Sequence, residues 1–494
     1  MVRVRTIAIV TVMAIGAAAW ITGIRHRFFD YDEIYHAHVV WLIAQGSRPF
    51  HDFFGSHSPL LWYVVAPLWR ILPDSPAALL PLRLVGATGT VVSIAAMALA
   101  WWSVRRELPA GWLMVGVAAI AFHRDVLDFG LEFRPDPWSN ALLFLAFFLF
   151  ITRRPASTPL RCALFGCLAS IGVLSSPKFF LLPLLFVAID TLHRVRRGEP
   201  VAKALIGYAG GMAAALLLVV AFLRVAHLDP WLTFQMAIGY QASFLRNSTF
   251  RRGLLDSVLR HPQLLGLVVA GVAGWCGHLI TTRRRPEPYE TAVLLFLVLQ
   301  CFIVGFPYKQ YYGPWFLLAA CFVPFAGFYL ERTFPRAGAW CFGLAILLSG
   351  ATAWSAGQSF ARNQGAQHML AFYEAIVRRS APDAAIVAYP PLHPVVRRDV
   401  FYGWNRSIDP GGSGTERIMR TLAVPGYSER FEAAYYRREL DARQPAVIVA
   451  PLNDAWTYEP MQWAAVRDFL AEHRERYVLL DVGLIRPVWV RRDR

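Results

Sequence analysis

The sequence predicts a polytopic α-helical membrane protein that ends in a small soluble α/β domain. Three observations predict it. Hydrophobic residues make up 56% of the 494 positions and charged residues only 17%, against roughly 25% charged in an ordinary soluble domain. Apolar runs approaching the roughly 20 residues that cross a bilayer core recur between residues 6 and 356. From about residue 360 the apolar runs become short and β-branched, with polar helical segments between them.

Eleven spans are read, at 6–24, 82–104, 110–123, 137–152, 160–175, 178–192, 203–226, 262–281, 289–306, 311–330 and 337–356. The first follows the basic "MVRVR", and its "GAAAW" would also suit a cleaved signal peptide. Its length and the spans behind it favour a retained helix. The third to sixth are short and would tilt or extend into their loops. With a cytoplasmic N-terminus, the short inside connections carry Arg105–Arg106, then Arg153, Arg154 and Arg161, then Arg194, Arg196, Arg197 and Lys203, then Arg283–Arg285, then Arg332 and Arg336. That is the asymmetry of the positive-inside rule. The net charge of +16 is therefore read as topology, not as a nucleic-acid surface. The longer connections 25–81, 124–136, 227–261 and everything after 357 fall outside.

In the first outer segment, 33–46 and 58–72 have apolar runs too short to span and aromatics suited to the bilayer surface, so they read as interfacial helices. The C-terminal part alternates strands at 384–389, 446–451, 477–483 and 486–492 with helices at 362–380, 429–443 and 460–475. This is an α/β pattern without a glycine-rich phosphate fingerprint. The division is thus 1–356, a membrane domain, and 357–494, an extracytoplasmic α/β domain. The six cysteines lie in or beside apolar stretches and have neither metal-ligand nor disulfide-framework spacing.

Polar groups at the edge of a membrane invite a functional reading. "FFDYDEIYHAH" (28–38) packs Asp30, Asp32 and Glu33 directly after the first span. A solvated loop is the bland reading; a carboxylate acting as general base toward a hydroxyl is the sharper one. "DYD" also matches the Asp-x-Asp by which nucleotide-sugar transferases hold a metal, but the nucleotide-binding sheet of those enzymes is missing. His36, His38, His51 and His57 keep a divalent metal open as an alternative to no cofactor. "RPDP" places Arg134 and Asp136 at the entry of the fourth span, where Asp136 could simply cap a helix. Lys178 in "SSPKFF" either snorkels or meets a lipid phosphate. Lys309, Tyr311 and Tyr312 in "FPYKQYYGPW" either form an interfacial belt or hold a phosphate. Acids and two cations thus share the outer side. A soluble nucleotide donor is not available there, whereas a sugar on a polyprenyl phosphate is.

The stretch "DYDEIYHAHVVWLIAQGSRPFHDFFGSHSPLLWYVVAPL" resembles the GT-C class of polyprenyl-phosphate-sugar glycosyltransferases. The nearest likeness is to the protein O-mannosyltransferase-like and aminoarabinose transferase-like (ArnT-like) bacterial enzymes, over about residues 1–356. The resemblance implies an inverting transfer at the outer face of the bacterial inner membrane, often without an essential metal. It implies Asp32 as catalytic base with Glu33 beside it, Asp136 as a second acid, and Lys178, Lys309, Tyr311 and Tyr312 at the donor phosphate, with Arg134. "SSPKFF" departs from the family's usual Thr-Lys-Gly. His57 in "GSHSPL" stands where relatives often carry Lys or His, and Asp30 is left as a substrate-side group. Partners would be the polyprenyl-phosphate sugar, a glycan, lipid or protein acceptor, and membrane lipid, with no nucleic acid. Rival readings are a lipid-linked glycan transporter or flippase, whose polar groups would sit at mid-membrane, and an O-antigen polymerase or ligase. Arg246, Arg251 and Arg252 in 227–261 suit the latter.

Overall fold

The structure is a computed structural model. It describes residues 2–53, 55, 57–104, 108, 110–152, 158–239, 262–303, 313–401, 433–450, 460–480 and 486–492. The chain forms two compact units, each built from separate stretches.

The first unit comprises Met1–Arg25, Leu84–Phe222 and Ser248–Asn363. Its elements include α1 (Val2–His26), α4 (Leu79–Val104), α5 (Ala110–Ala121), α6 (Arg124–Phe129), α7 (Pro135–Thr152), α8 (Thr158–Ser175), α9 (Leu181–Arg197) and α10 (Val201–Val225). Helices Pro262–Thr282, Pro288–Ile303, Gly313–Ala319, Val323–Thr333 and Pro335–Asn363 complete its described part. Among the described residues, each of the eleven apolar segments is helical over most of its length. Seven are long and apolar enough to cross a membrane, three more are shorter apolar helices, and α9 is amphipathic with a basic last turn. The chain is an integral membrane protein. Its outward faces say so as well: Leu217 is 70% exposed and Trp340 81%, acceptable where lipid is the solvent.

Packing in this unit combines aromatic edges with close backbones. The Phe147 ring meets Phe165 and Phe186 edge-on at 5.3 and 5.0 Å, a favoured quadrupole geometry. α8 and α10 approach so closely that a Cβ at Gly211 would fall 2.0 Å from the Ala163 carbonyl oxygen, the small-residue contact of membrane helices. Gly86 does the same for the site: a Cβ there would meet the Glu132 carbonyl oxygen at 2.1 Å. Glycine in α4 lets the 130–134 segment lie against it.

The second unit comprises His26–Arg83, Leu223–Asn247 and Gln364–Arg494. It begins with α2 (Tyr31–Ala44) and α3 (Leu60–Val65), followed by the 3-10 turn Ala66–Arg70. α11 (Pro230–Phe234), helix Gly365–Val377 and helices Ala433–Arg443 and Pro460–Glu472 follow. A five-stranded sheet has the order β2-β1-β3-β5-β4, from β1 (Ala385–Val387), β2 (Arg398–Asp399), β3 (Val447–Val449), β4 (Tyr477–Leu480) and β5 (Val488–Arg491). β1 pairs in parallel with β2 and β3, and β5 is antiparallel to β3 and β4. β3 is buried along its length, which explains its unbroken "VIV". Two residues of β2, Arg398 and Asp399, carry no apolar pattern and gave no strand signal.

Candidate active site

In the second unit the acidic run starts a helix, and each acid has a different task. Asp30 is the N-cap of α2: its side chain accepts the Asp32 backbone N–H at 3.1 Å, which satisfies one of the helix's first amides. Glu33 is fully buried. Arg83 grips it with both ends of the guanidinium, Nε to Oε1 at 2.8 Å and a terminal nitrogen to Oε2 at 2.6 Å. This is the bidentate pairing that makes burial of two charges tolerable. Arg83 also donates to the carbonyls of Arg27 and Phe28 at 2.8 and 3.1 Å, and it lies 4.2 Å over the Phe29 ring. The Arg27 guanidinium stands 3.8 Å from Glu33. One arginine therefore clamps both the loop entering α2 and its third residue.

Asp32, between the cap and the clamp, is half-buried. It lies in the first turn of α2, where the helix dipole favours a carboxylate. Tyr31 beside it donates its hydroxyl to Tyr389 at 3.2 Å.

The histidines are spent on packing and hydrogen bonds. His36 Nδ1 accepts the Trp62 indole N–H at 2.9 Å. His57 stands edge-on to His36 at 4.9 Å and tilts against Tyr35 at 5.8 Å. His38 Nδ1 donates to the Val395 carbonyl, and its ring meets His393 at 4.1 Å. Burial pushes the His38 imidazole down to about 4, against the raising effect of that hydrogen bond. Burial, with the neighbouring His38, holds His393 well below the ordinary range. His51 pairs with Asp52 at 2.7 Å. Among the described residues, no group of three or more His, Cys, Asp or Glu side chains is arranged to hold a metal.

The first unit holds the other cluster. Pro135 and Pro137 open α7, placing Asp136 in a first turn that suits its charge. Asp136 is buried. One carboxylate oxygen lies 2.9 Å from Arg134 Nε. The other accepts the Ser176 hydroxyl at 2.7 Å and lies 3.5 Å from Lys178 Nζ. Arg134 also donates to Glu132 at 2.9 Å. Two acids and two bases thus balance in a buried network. Arg134, Asp136 and Asn140, with Thr90, Ser93 and Asp125, border a narrow cavity of about 40 Å³, room for about a single water.

The structure so brings Asp136, Arg134 and Lys178 into one cluster, and Asp30, Asp32 and Glu33 into one helix start. Lys309, Tyr311 and Tyr312 lie outside the described residues. Three partners escaped the sequence reading: Arg83, Glu132 and Ser176. Arg83 had a readable signal, being the sole charge of the 26-residue α4, where an unpaired arginine would be expensive.

No protein-family model and no curated protein matches the chain. Solved structures do. The chain superposes on the crystal structure of ArnT from Cupriavidus metallidurans bound to undecaprenyl phosphate with a TM-score of 0.59, at 13% identity and with 97% of each chain covered. The archaeal oligosaccharyltransferase AglB from Archaeoglobus fulgidus, in complex with an inhibitory peptide and a dolichol-phosphate, gives 0.51 at 12% identity, covering 95% of this chain and 72% of that one. The chain has a GT-C-like fold of the ArnT kind.

Proposed function

We propose that the chain is an inverting glycosyltransferase. It moves a sugar from a polyprenyl-phosphate donor to an acceptor hydroxyl on the extracytoplasmic face of the bacterial inner membrane, with the N-terminus cytoplasmic and residues 357–494 outside. One observation supports this reading above the rest. The half-buried Asp32 lies in the first turn of α2, where the helix dipole favours a carboxylate, directly between the capping Asp30 and the Glu33–Arg83 pair that fix the backbone carrying it. The likeness in fold to structures bound to undecaprenyl phosphate and to a dolichol-phosphate supports the donor class.

In this reading Asp32 accepts the proton of the acceptor hydroxyl as its oxygen attacks the anomeric carbon. The bond from that carbon to the phosphate oxygen breaks, and its electron pair leaves with the polyprenyl phosphate. A single displacement inverts the anomeric centre. Lys178 meets the charge of the phosphate, and Lys309, Tyr311 and Tyr312 add donors to it. Arg134 and Asp136 hold Lys178 in place, and Glu33 positions Asp32 through Arg83. His57 and Asp30 shape the ground around the base.

The test is turnover of purified protein with a panel of polyprenyl-phosphate sugars, read as released polyprenyl phosphate. General-base help contributes about 10²–10⁴-fold, so Asp32→Asn should lose that factor while keeping its melting temperature. Near-wild-type transfer by Asp32→Asn would overturn the base assignment. Failure of every donor, together with flipping of lipid-linked sugar in liposomes, would replace the transferase with a flippase.

A further inference from the structure

α7 carries Asp136 in its first turn and Phe150 and Ile151 in its last. At 1.5 Å per residue these lie about 21 Å apart along the helix. At that far end the first unit contains a second, larger and mostly polar cavity of about 300 Å³. Its walls come from the end of α7, the start of α8, the end of α9 and the start of helix Pro288–Ile303.

The carboxylates that line it are already answered. Arg194 binds Asp190 at 2.7 Å and Glu199 at 3.1 Å. Asp190 also accepts the Tyr208 hydroxyl at 2.9 Å. Glu287 is held by Arg284 at 3.1 Å. Arg194 is thus taken up by these carboxylates, whereas Arg161 and His193 are not answered in the same way. Arg161 lies 4.5 Å over the Phe150 ring, which fixes its guanidinium but engages only its face. Among the described residues its buried Nε has no hydrogen-bond partner, and neither has the buried Nε2 of His193. Both residues line the cavity, with the exposed Arg197. A buried donor left unmatched costs about 1–3 kcal/mol. A stacked arginine beside an imidazole and a second arginine is the donor set that an oxyanion with several acceptor oxygens satisfies.

We propose that this cavity binds a phosphate group, at the end of the bundle away from Asp136 and independently of the transfer reaction. The half-buried Arg161 and His193 supply its guanidinium and imidazole donors, and Arg197 supplies charge at the rim. The phosphate belongs to a lipid headgroup or comes free from solution. Leu192 and Val195 flank the site on α9 and are 45% and 60% exposed, which gives acyl chains an apolar neighbour.

The experiment measures thermal stabilisation of the purified full-length chain in neutral detergent, titrated with inorganic phosphate, dihexanoyl phosphatidic acid or dihexanoyl phosphatidylcholine. Saturable stabilisation by phosphatidic acid or phosphate, weakened at least tenfold in Arg161→Gln and in His193→Gln, is the expected result. Phosphatidic acid binding tenfold or more tighter than phosphate identifies a lipid as the source; equal affinity identifies free phosphate. His193→Gln leaves the Phe150 stack untouched and reads the site even if Arg161→Gln fails to fold. No saturable shift with either anion, or a shift unchanged in His193→Gln, overturns the proposal. Equal stabilisation by phosphatidylcholine overturns it too, because the effect would then come from the chains. The readout is binding, so it stands whether or not Asp32 proves to be the base.

Discussion

Glu33 and Asp136 are both buried carboxylates met by an arginine, yet the two are held differently. Glu33 is closed: Arg83 occupies both of its oxygens at 2.8 and 2.6 Å and spends its remaining donors on the backbone of residues 27 and 28. Asp136 is shared. Arg134, Ser176 and Lys178 divide its oxygens, and the lysine stands furthest away at 3.5 Å. A closed pair can stabilise and position but has nothing left for a substrate. A shared one keeps a cation close without locking it in a bidentate pair, since the ammonium stands 3.5 Å from the carboxylate. The difference separates a clamp from a holder, and both kinds of buried charge occur in one chain.

The clamp should break hardest. Arg83→Leu leaves Glu33 buried and unanswered, and losing one partner of a buried pair costs about 3–5 kcal/mol. Chemical unfolding in detergent would measure it. Glu33→Gln with Arg83→Leu should recover much of that loss, because the stranded charge is gone. If Arg83→Leu alone costs under ~1 kcal/mol, the pair is not a clamp.

The second unit also buries groups that refuse charge. His38 and His393 face each other with Trp41 stacked on His38, and His38 is pushed down to about 4. Its folded value lies below its unfolded value of about 6.5. The unfolded chain therefore binds the extra proton first. The stability from a neutral His38 is present above pH 6.5 and falls as pH drops toward 4, by about 3 kcal/mol at the lower end. Asp52, Arg398, Asp399 and Arg443 share a cavity wall with His38, so the profile is best read as wild type against His38→Gln. A loss between pH 6.5 and 4 of equal size in both would remove His38 as its cause.

The sequence shows these features unevenly, for physical reasons. Helices of the bundle are legible because a bilayer demands long apolar runs, and among the described residues all eleven read segments are mainly helical. Asp32 stands out because acids next to a span are costly. The division of labour among Asp30, Asp32 and Glu33 is not legible, since Arg83 lies 50 positions away and only the fold brings it to Glu33. Asp30 did carry a local sign, the Asp-x-x-Glu spacing that marks a helix start. Ser176 and Glu132 carry none: a serine before proline and a glutamate before an aromatic are ordinary loop residues until the chain folds around Asp136. β2 is two residues of charge held by backbone pairing with β1, which no side-chain pattern announces.

If Asp136 is a holder, Lys178 should matter to turnover more than to stability. Lys178→Gln leaves Asp136 with Arg134 and Ser176, so unfolding should shift by less than about 1 kcal/mol. Transfer should fall roughly 10–100-fold if the ammonium meets charge that grows on the leaving phosphate, with the loss in kcat more than in KM. A variant that loses stability as Arg83→Leu does, and keeps kcat, would make Lys178 a clamp as well.

The smallest effect separates a cap from a reactant. Asp30 accepts the Asp32 amide, so Asp30→Ala should cost about 1 kcal/mol of stability and loosen the backbone that carries Asp32. Asparagine caps as well as aspartate does. If Asp30 only caps, Asp30→Asn keeps both stability and turnover, and Asp30→Ala loses a little of each. If Asp30→Asn abolishes transfer while the melting temperature holds, the charge itself is required, and the base would have to be sought in the pair Asp30 and Asp32 and not in Asp32 alone.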